Sequence, residues 1–136
     1  MYRRKEVEAI TEIPARRVQF YTESGLLSMI EGNPGKGRER LYSTKNIVEL
    51  LLIGVMRNVG LELSRIKTVM SKIRSLVDLS DMEGDTVPTY LFVQSRHDGS
   101  IRVLFSREIF DGKKIEPAQG VFIIDYKRII NRVKSL

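Results

Sequence analysis

The chain has 136 residues, a formal net charge of +6 and no cysteine. That length holds one compact unit or two small ones, and the missing cysteines exclude disulfides, thiolate metal sites and cysteine redox sensing. No run approaches the ~18 uninterrupted apolar residues of a membrane-spanning helix. The start, Met1-Tyr2-Arg3-Arg4-Lys5-Glu6, has no apolar segment behind it and does not read as a secretory leader, so a reducing cytoplasm is the expected location.

The surplus charge is confined to the first half. Residues 1–75 carry 14 Lys and Arg against 8 Asp and Glu, whereas residues 76–136 carry 9 of each. A basic half joined to a neutral half points to a nucleic-acid reader attached to a part with another job. The plain alternative is a basic protein with no polyanion partner, since net charge speaks of association and not of fold.

In chain order, residues 3–10 predict a first short helix with Val7 and Ile10 facing inward. Thr11-Glu12-Ile13-Pro14 is the turn, and Pro14 fits the first position of a second helix ending near Glu23, where its missing N–H costs nothing. Ile13, Val18 and Tyr21 anchor that helix, while Arg16, Arg17 and Gln19 point elsewhere. Gly25 stands where a left-handed residue stops a helix. Asn33-Pro34-Gly35-Lys36-Gly37 is too densely punctuated for regular structure and predicts a hairpin tip. Residues 28–30 form one arm of it and residues 38–42 the other.

Ser43 is a good N-cap for a third helix from Thr44 to about Val59, with Ile47, Leu50, Leu51, Val55 and Met56 as its buried stripe. A fourth helix is predicted from Glu62 to Leu79, with Leu63, Ile66, Val69, Met70, Ile73, Leu76 and Val77 on its apolar face. That face serves either the core or a partner helix in a dimer.

The acidic stretch from Ser80 to Pro88 has no hydrophobic period and ends in proline, so it marks a linker. Strand texture follows. Residues 89–94 and 101–105 flank Asp98-Gly99, which predicts a hairpin with a two-residue type I′ turn. Val121-Phe122-Ile123-Ile124 is fully apolar and predicts a central strand. Asp125 caps a last helix with Tyr126, Ile129, Ile130, Val133 and Leu136 as its stripe. The expected fold class is α+β. Residues 1–79 make four helices plus a wing hairpin, 80–88 a linker, and 89–136 a small antiparallel sheet with a C-terminal helix.

Tyr2, Phe20-Tyr21, Gly25-Leu26-Leu27, Arg40-Leu41-Tyr42-Ser43 and Gly60-Leu61 fall in one register. Through them, residues 2–70 resemble the winged helix-turn-helix of the MerR family of bacterial transcription regulators. Two positions depart from the family's pattern. Glu12 stands where a turn glycine is usual, which predicts an altered turn. Gln19 stands where an arginine commonly precedes the aromatic pair, which predicts one weaker backbone contact. The family's long dimerising helix has no counterpart, because the segment at Ser80 interrupts it. The resemblance implies a dimer that binds a near-palindromic promoter site in double-stranded DNA, bends or untwists it, and so realigns promoter elements for RNA polymerase. It places the protein in the cytoplasm on the nucleoid.

In that frame Arg16 and Arg17 occupy the first turn of a groove-docked helix, where side chains reach bases or clamp phosphates. Gln19 and the Tyr21 hydroxyl lie near the DNA. Lys36, Arg38 and Arg40 sit among glycines in the wing and supply salt-dependent, sequence-independent affinity. Tyr42 resembles the family's wing-end tyrosine that meets the DNA backbone. Arg3 and Lys5 are basic residues that either join this surface or simply solvate the first helix.

Nothing in the pattern points to an enzyme. The single histidine, His97, flanks a turn, and the glycines at 32, 35 and 37 lack the strand–loop–helix context of a phosphate loop. No cofactor or metal is expected. The part after residue 88 has three readings: a dimerisation module, an effector-sensing or docking domain, or an extension of the core. Other readings of the whole chain are a small adaptor whose helix-turn-helix half docks a protein partner, and an architectural DNA-bending accessory factor.

Overall fold

The computed structural model describes residues 1–28, 40–83, 87–108 and 120–136. These form five helices and a three-stranded antiparallel sheet, an α+β architecture in two compact units, Met1–Leu61 and Glu62–Leu136.

The first unit contains α1 (Arg4–Thr11), α2 (Ala15–Glu23) and α3 (Thr44–Asn58). Val7 of α1 and Val18 and Tyr21 of α2 are buried, as their spacing predicts. The Thr11 hydroxyl donates to the Val7 carbonyl at 2.8 Å and accepts the Ile13 N–H at 3.2 Å, which closes α1 and starts the turn. Glu12 takes the left-handed conformation itself, at φ 60° and ψ 16°, with its N–H on the Glu8 carbonyl at 2.9 Å. The turn is therefore made with a left-handed glutamate in place of a glycine. A side chain with a Cβ costs about 1–2 kcal/mol in that region. Glu12→Gly is expected to stabilise the protein by up to about 1 kcal/mol, because glycine's own entropy offsets part of the relief. A thermal melt that falls or stays put would refute this.

Pro14 lies just outside α2 rather than at its first helical position. Its ψ of 141° is extended, and its carbonyl accepts the N–H groups of Arg17 and Val18 at 2.8 and 3.1 Å. The ends of α2 and α3 are built alike. Gly25 and Gly60 have φ of 75° and 93°, and the following leucine N–H reaches back to the helix, Leu26 to Tyr21 at 3.2 Å and Leu61 to Met56 at 3.1 Å. This six-to-one bond is the Schellman stop that Gly-Leu pairs supply.

Ser43 and Asn46 cap α3 reciprocally, each backbone N–H bonding the other's side chain, at 3.1 and 3.0 Å. Just before the cap, Tyr42 and Tyr2 exchange backbone bonds of 2.8 Å, tying the start of the chain to the start of α3. The helix is buried on more sides than one stripe predicts. Val48, Leu52 and Ile53 join Ile47, Leu50, Leu51 and Met56 in the core, while Val55 is only half-buried. A helix apolar nearly all round is an interior helix.

The second unit opens with α4 (Leu63–Leu76), which ends three residues short of the predicted Leu79. Val77 is extended at φ −140°, and the Asp78 carboxylate takes the Ser80 N–H and hydroxyl at 2.9 and 2.6 Å, a local turn that competes with helix. Ile66, Val69, Met70 and Ile73 are buried, whereas Leu76 at the last turn is exposed.

The sheet consists of β1 (Tyr90–Ser95), β2 (Ile101–Ser106) and β3 (Gly120–Asp125) in the order β2-β1-β3, with Phe92 opposite Leu104 on one side and Ile123 on the other. The predicted central strand, β3, is thus paired on one side by β1, and β1 is central. Burial explains the exchange. Leu91, Phe92 and Val93 are buried in succession, so both faces of β1 are covered, while Val121 and Ile123 of β3 remain about 40% exposed. The hairpin turn also differs from the prediction. Strand pairing stops at Ser95 and Ile101, the Gly99 N–H bonds the Arg96 carbonyl at 3.0 Å, and only Gly99 has positive φ, 86°. This is the wider turn with a single left-handed glycine, not the two-residue type I′ form.

Against this sheet, α4 lies along β2 and α5 (Tyr126–Lys134) against β1. The Asp125 carboxylate accepts the Arg128 N–H at 3.1 Å, and the Lys127 N–H meets the Thr89 carbonyl at 3.1 Å. Tyr126, Ile130 and Val133 are buried; Leu136 lies past the helix end and is exposed. The Tyr126 ring meets Phe105 edge-on at 5.1 Å.

Burial, with the nearby charges of Asp81 and Asp78, pushes the Tyr126 hydroxyl from 10.0 to about 12. A raised acid pKa favours the protonated, folded form, so the stability it contributes is intact below pH 10 and is lost between about pH 10 and 12. The expected alkaline loss is about 2 kcal/mol, and Tyr126→Phe should flatten it in urea melts taken across that range.

Candidate nucleic-acid interface

The exposed side of α2 follows from its periodicity. With Val18 and Tyr21 turned inward, Arg16, Arg17, Gln19 and Phe20 are left on the surface. Arg16 and Arg17 stand in the first turn, which contains no acidic residue. They therefore add their charge to the positive end of the helix rather than offset it. Phe20, one turn beyond Arg16, is 50% exposed, with its ring 6.1 Å from that of Tyr21. A half-exposed phenylalanine one turn beyond two arginines offers an apolar contact next to the cations. The residue pattern contains this signal, since Phe20 falls three and four residues after the arginines, whereas the sequence singles out the hydroxyl of its neighbour Tyr21.

Tyr21 and Tyr42 are both buried. The Thr22 hydroxyl donates to the Val18 carbonyl at 2.7 Å, which leaves its oxygen to accept from the Tyr42 hydroxyl at 3.1 Å. Tyr42 thereby clamps α2 to the residue before the α3 cap. Of the wing residues, Lys36 and Arg38 lie outside the described residues. Arg40 is described, partly exposed, with its guanidinium 4.0 Å from the Glu23 carboxylate. Arg3 and Lys5 are exposed at the start of α1, where the Arg3 N–H bonds the Glu6 carboxylate at 3.1 Å.

Sequence reasoning missed two polar groups. One is Arg4, whose Nη1 donates to Gln19 Oε1 at 3.3 Å, while Gln19 Nε2 donates to Glu23 Oε1 at 3.1 Å. The other is Glu49, wholly buried in α3. Its carboxylate accepts the Ser28 N–H at 3.1 and 3.2 Å, the Ser28 hydroxyl at 2.8 Å and the Asn46 amide at 3.0 Å. It holds Ser28, the residue that precedes in sequence the segment carrying Lys36 and Arg38. The available signal was a pair of polar residues, 46 and 49, one turn apart, with Glu49 the single charge between residues 46 and 56.

The interface is thus a basic helix face with an exposed aromatic, and it suits an extended anion better than a small substrate. Among the described residues, no group of three or more His, Asp or Glu is placed to hold a metal ion, and no helix is long and apolar enough to cross a membrane. In comparisons with known proteins, residues 2–73 match the family model described as MerR HTH family regulatory protein, slightly more than half of the chain. A search among curated proteins finds no match.

Proposed function

The chain belongs to the MerR helix-turn-helix family of DNA-binding transcription regulators, and on that premise we propose that it reads a near-palindromic promoter site in double-stranded DNA as a dimer and bends or untwists it. The observation that carries this reading is the acid-free first turn of α2, which presents Arg16 and Arg17 to solvent within the matched residues. Inserted in the major groove, such a turn brings both guanidinium groups to base edges or flanking phosphates. Phe20 offers apolar contact to a thymine methyl. Lys36, Arg38 and Arg40 supply salt-dependent affinity from the wing.

Contacts from a helix and a wing in each of two protomers are far apart on a straight duplex, and deformation of the DNA gathers them. Such deformation realigns promoter elements for RNA polymerase. The dimer is supported by family habit and by Val121 and Ile123, which leave apolar surface on the sheet for a second copy. The division of labour is a reader over residues 1–79 and a dimerising part over 89–136, at work in the cytoplasm on the nucleoid.

The test is selection from random duplex DNA followed by sequencing. An enriched inverted repeat is expected, and its half-site spacing gives the geometry of the dimer. No enrichment at low salt overturns the reading. Salt-tolerant capture of a protein partner in its place would support the adaptor alternative.

A further inference from the structure

We propose that Arg4 is a further DNA-phosphate contact, held on the α2 face by Gln19, which Glu23 orients; this rests on the DNA-binding reading above. An amide side chain has one accepting and one donating end. Glu23 takes the donating end of Gln19 at 3.1 Å, so the amide oxygen is fixed toward α1, where it accepts from Arg4 Nη1 at 3.3 Å. The result is an aimed guanidinium beside the recognition helix, delivered from a residue 15 positions earlier.

Two further facts point to an anion as the purpose of this arrangement. First, the partner of Arg4 is neutral. A carboxylate would cancel its charge, as Glu23 partly does for Arg40 at 4.0 Å, whereas an amide leaves the full charge and the remaining N–H donors outward. Second, Arg4 and Lys5 stand in the first turn of α1, with Arg3 at its cap, against one acidic residue, Glu6, whose carboxylate accepts the Arg3 N–H at 3.1 Å. Cations at a helix N-terminus oppose the helix dipole and cost about 0.3–1 kcal/mol each. An exposed hydrogen bond contributes too little stability to justify that placement, whereas a bound phosphate reverses the sign of the interaction. Gln19 occupies the position where the family resemblance predicts an arginine, and Arg4 returns a guanidinium to that position from the neighbouring helix.

The experiment titrates the full chain against a fluorescent mixed-sequence duplex over a series of KCl concentrations. Arg4→Gln is expected to weaken binding about fivefold and to lower the slope of log affinity against log salt by about 1. Arg4→Lys should retain the slope. Adding Gln19→Arg to Arg4→Gln should recover it, because the cation is restored from the other side of the pair. None of the three variants should melt below the wild type, since both side chains are exposed and removing a cation from the first turn of α1 relieves its opposition to the helix dipole. A wild-type slope in Arg4→Gln, or no recovery in the double variant, overturns the proposal. If the wild-type chain itself does not bind duplex at low salt, the DNA-binding reading falls with it; if it binds and only the Arg4 arms fail, that reading stands.

Discussion

Replacing Glu49 with leucine is expected to destabilise the first unit by roughly 2–3 kcal/mol, although leucine is apolar and the site is fully buried. Burial area alone argues the other way. The hydrogen bonds decide it. The carboxylate is the acceptor for the Ser28 N–H, the Ser28 hydroxyl and the Asn46 amide. Leucine leaves these donors in place and removes their acceptor, and an orphaned donor costs its desolvation in full. Glu49→Gln keeps the shape and one accepting oxygen, so about half of that loss is expected. Urea unfolding at neutral pH measures both. A leucine variant as stable as the wild type would mean that the desolvation of the buried carboxylate already cancels its bonds, the outcome known where buried charges are replaced by well-packed apolar groups.

The same helix shows what a sequence does and does not expose. Its limits were readable, because a cap and a stop are local chemistry. Ser43 begins α3 with its own hydroxyl, and Gly60 ends it in a conformation glycine adopts without strain. The stripe Ile47, Leu50, Leu51 and Met56 was readable from period alone. That Glu49 is buried among them was not, since a glutamate in a helix reads as a solvated position until its partner is known. The partner is Ser28, 21 residues earlier in the chain. Arg4 and Gln19 are a similar case, with nothing in their spacing to join them.

In the sheet, strand existence followed from composition, but strand order did not. Val121 to Ile124 is the most apolar run of the three, yet it pairs with β1 on one side and leaves Val121 and Ile123 exposed. A run's hydrophobicity reports how much surface it can bury, and its neighbours decide how much it does. Asp98-Gly99 likewise marked the hairpin correctly and its width incorrectly, because one left-handed glycine suffices once the turn is longer. Of the candidate interface, the exposed face of α2 was the most legible part, because it lies on one helix. Arg16 and Arg17 needed only the inward pull of Val18 and Tyr21 to be placed outside.

Those two arginines carry the largest expected functional effect. Arg16→Ala/Arg17→Ala should lose about 100-fold in affinity for the selected site, about 3 kcal/mol, with no loss of stability. Both are exposed, and alanine is at least as good a helix former as arginine. The single variants separate two ways of reaching DNA. An arginine bidentate on guanine should relax selectivity at one base pair of each half-site. One on a phosphate should weaken all sequences alike and lower the salt slope by about 1. Adjacent residues lie about 100° apart around a helix axis, so Arg16 and Arg17 do not face the same base edge, and the expected pattern is asymmetric, with one residue moving selectivity and the other moving the slope. Unchanged affinity in the double variant would remove α2 from the interface. The positive surface would then be left to the wing and to the start of α1, and the first turn of α2 would be a solvated charged face.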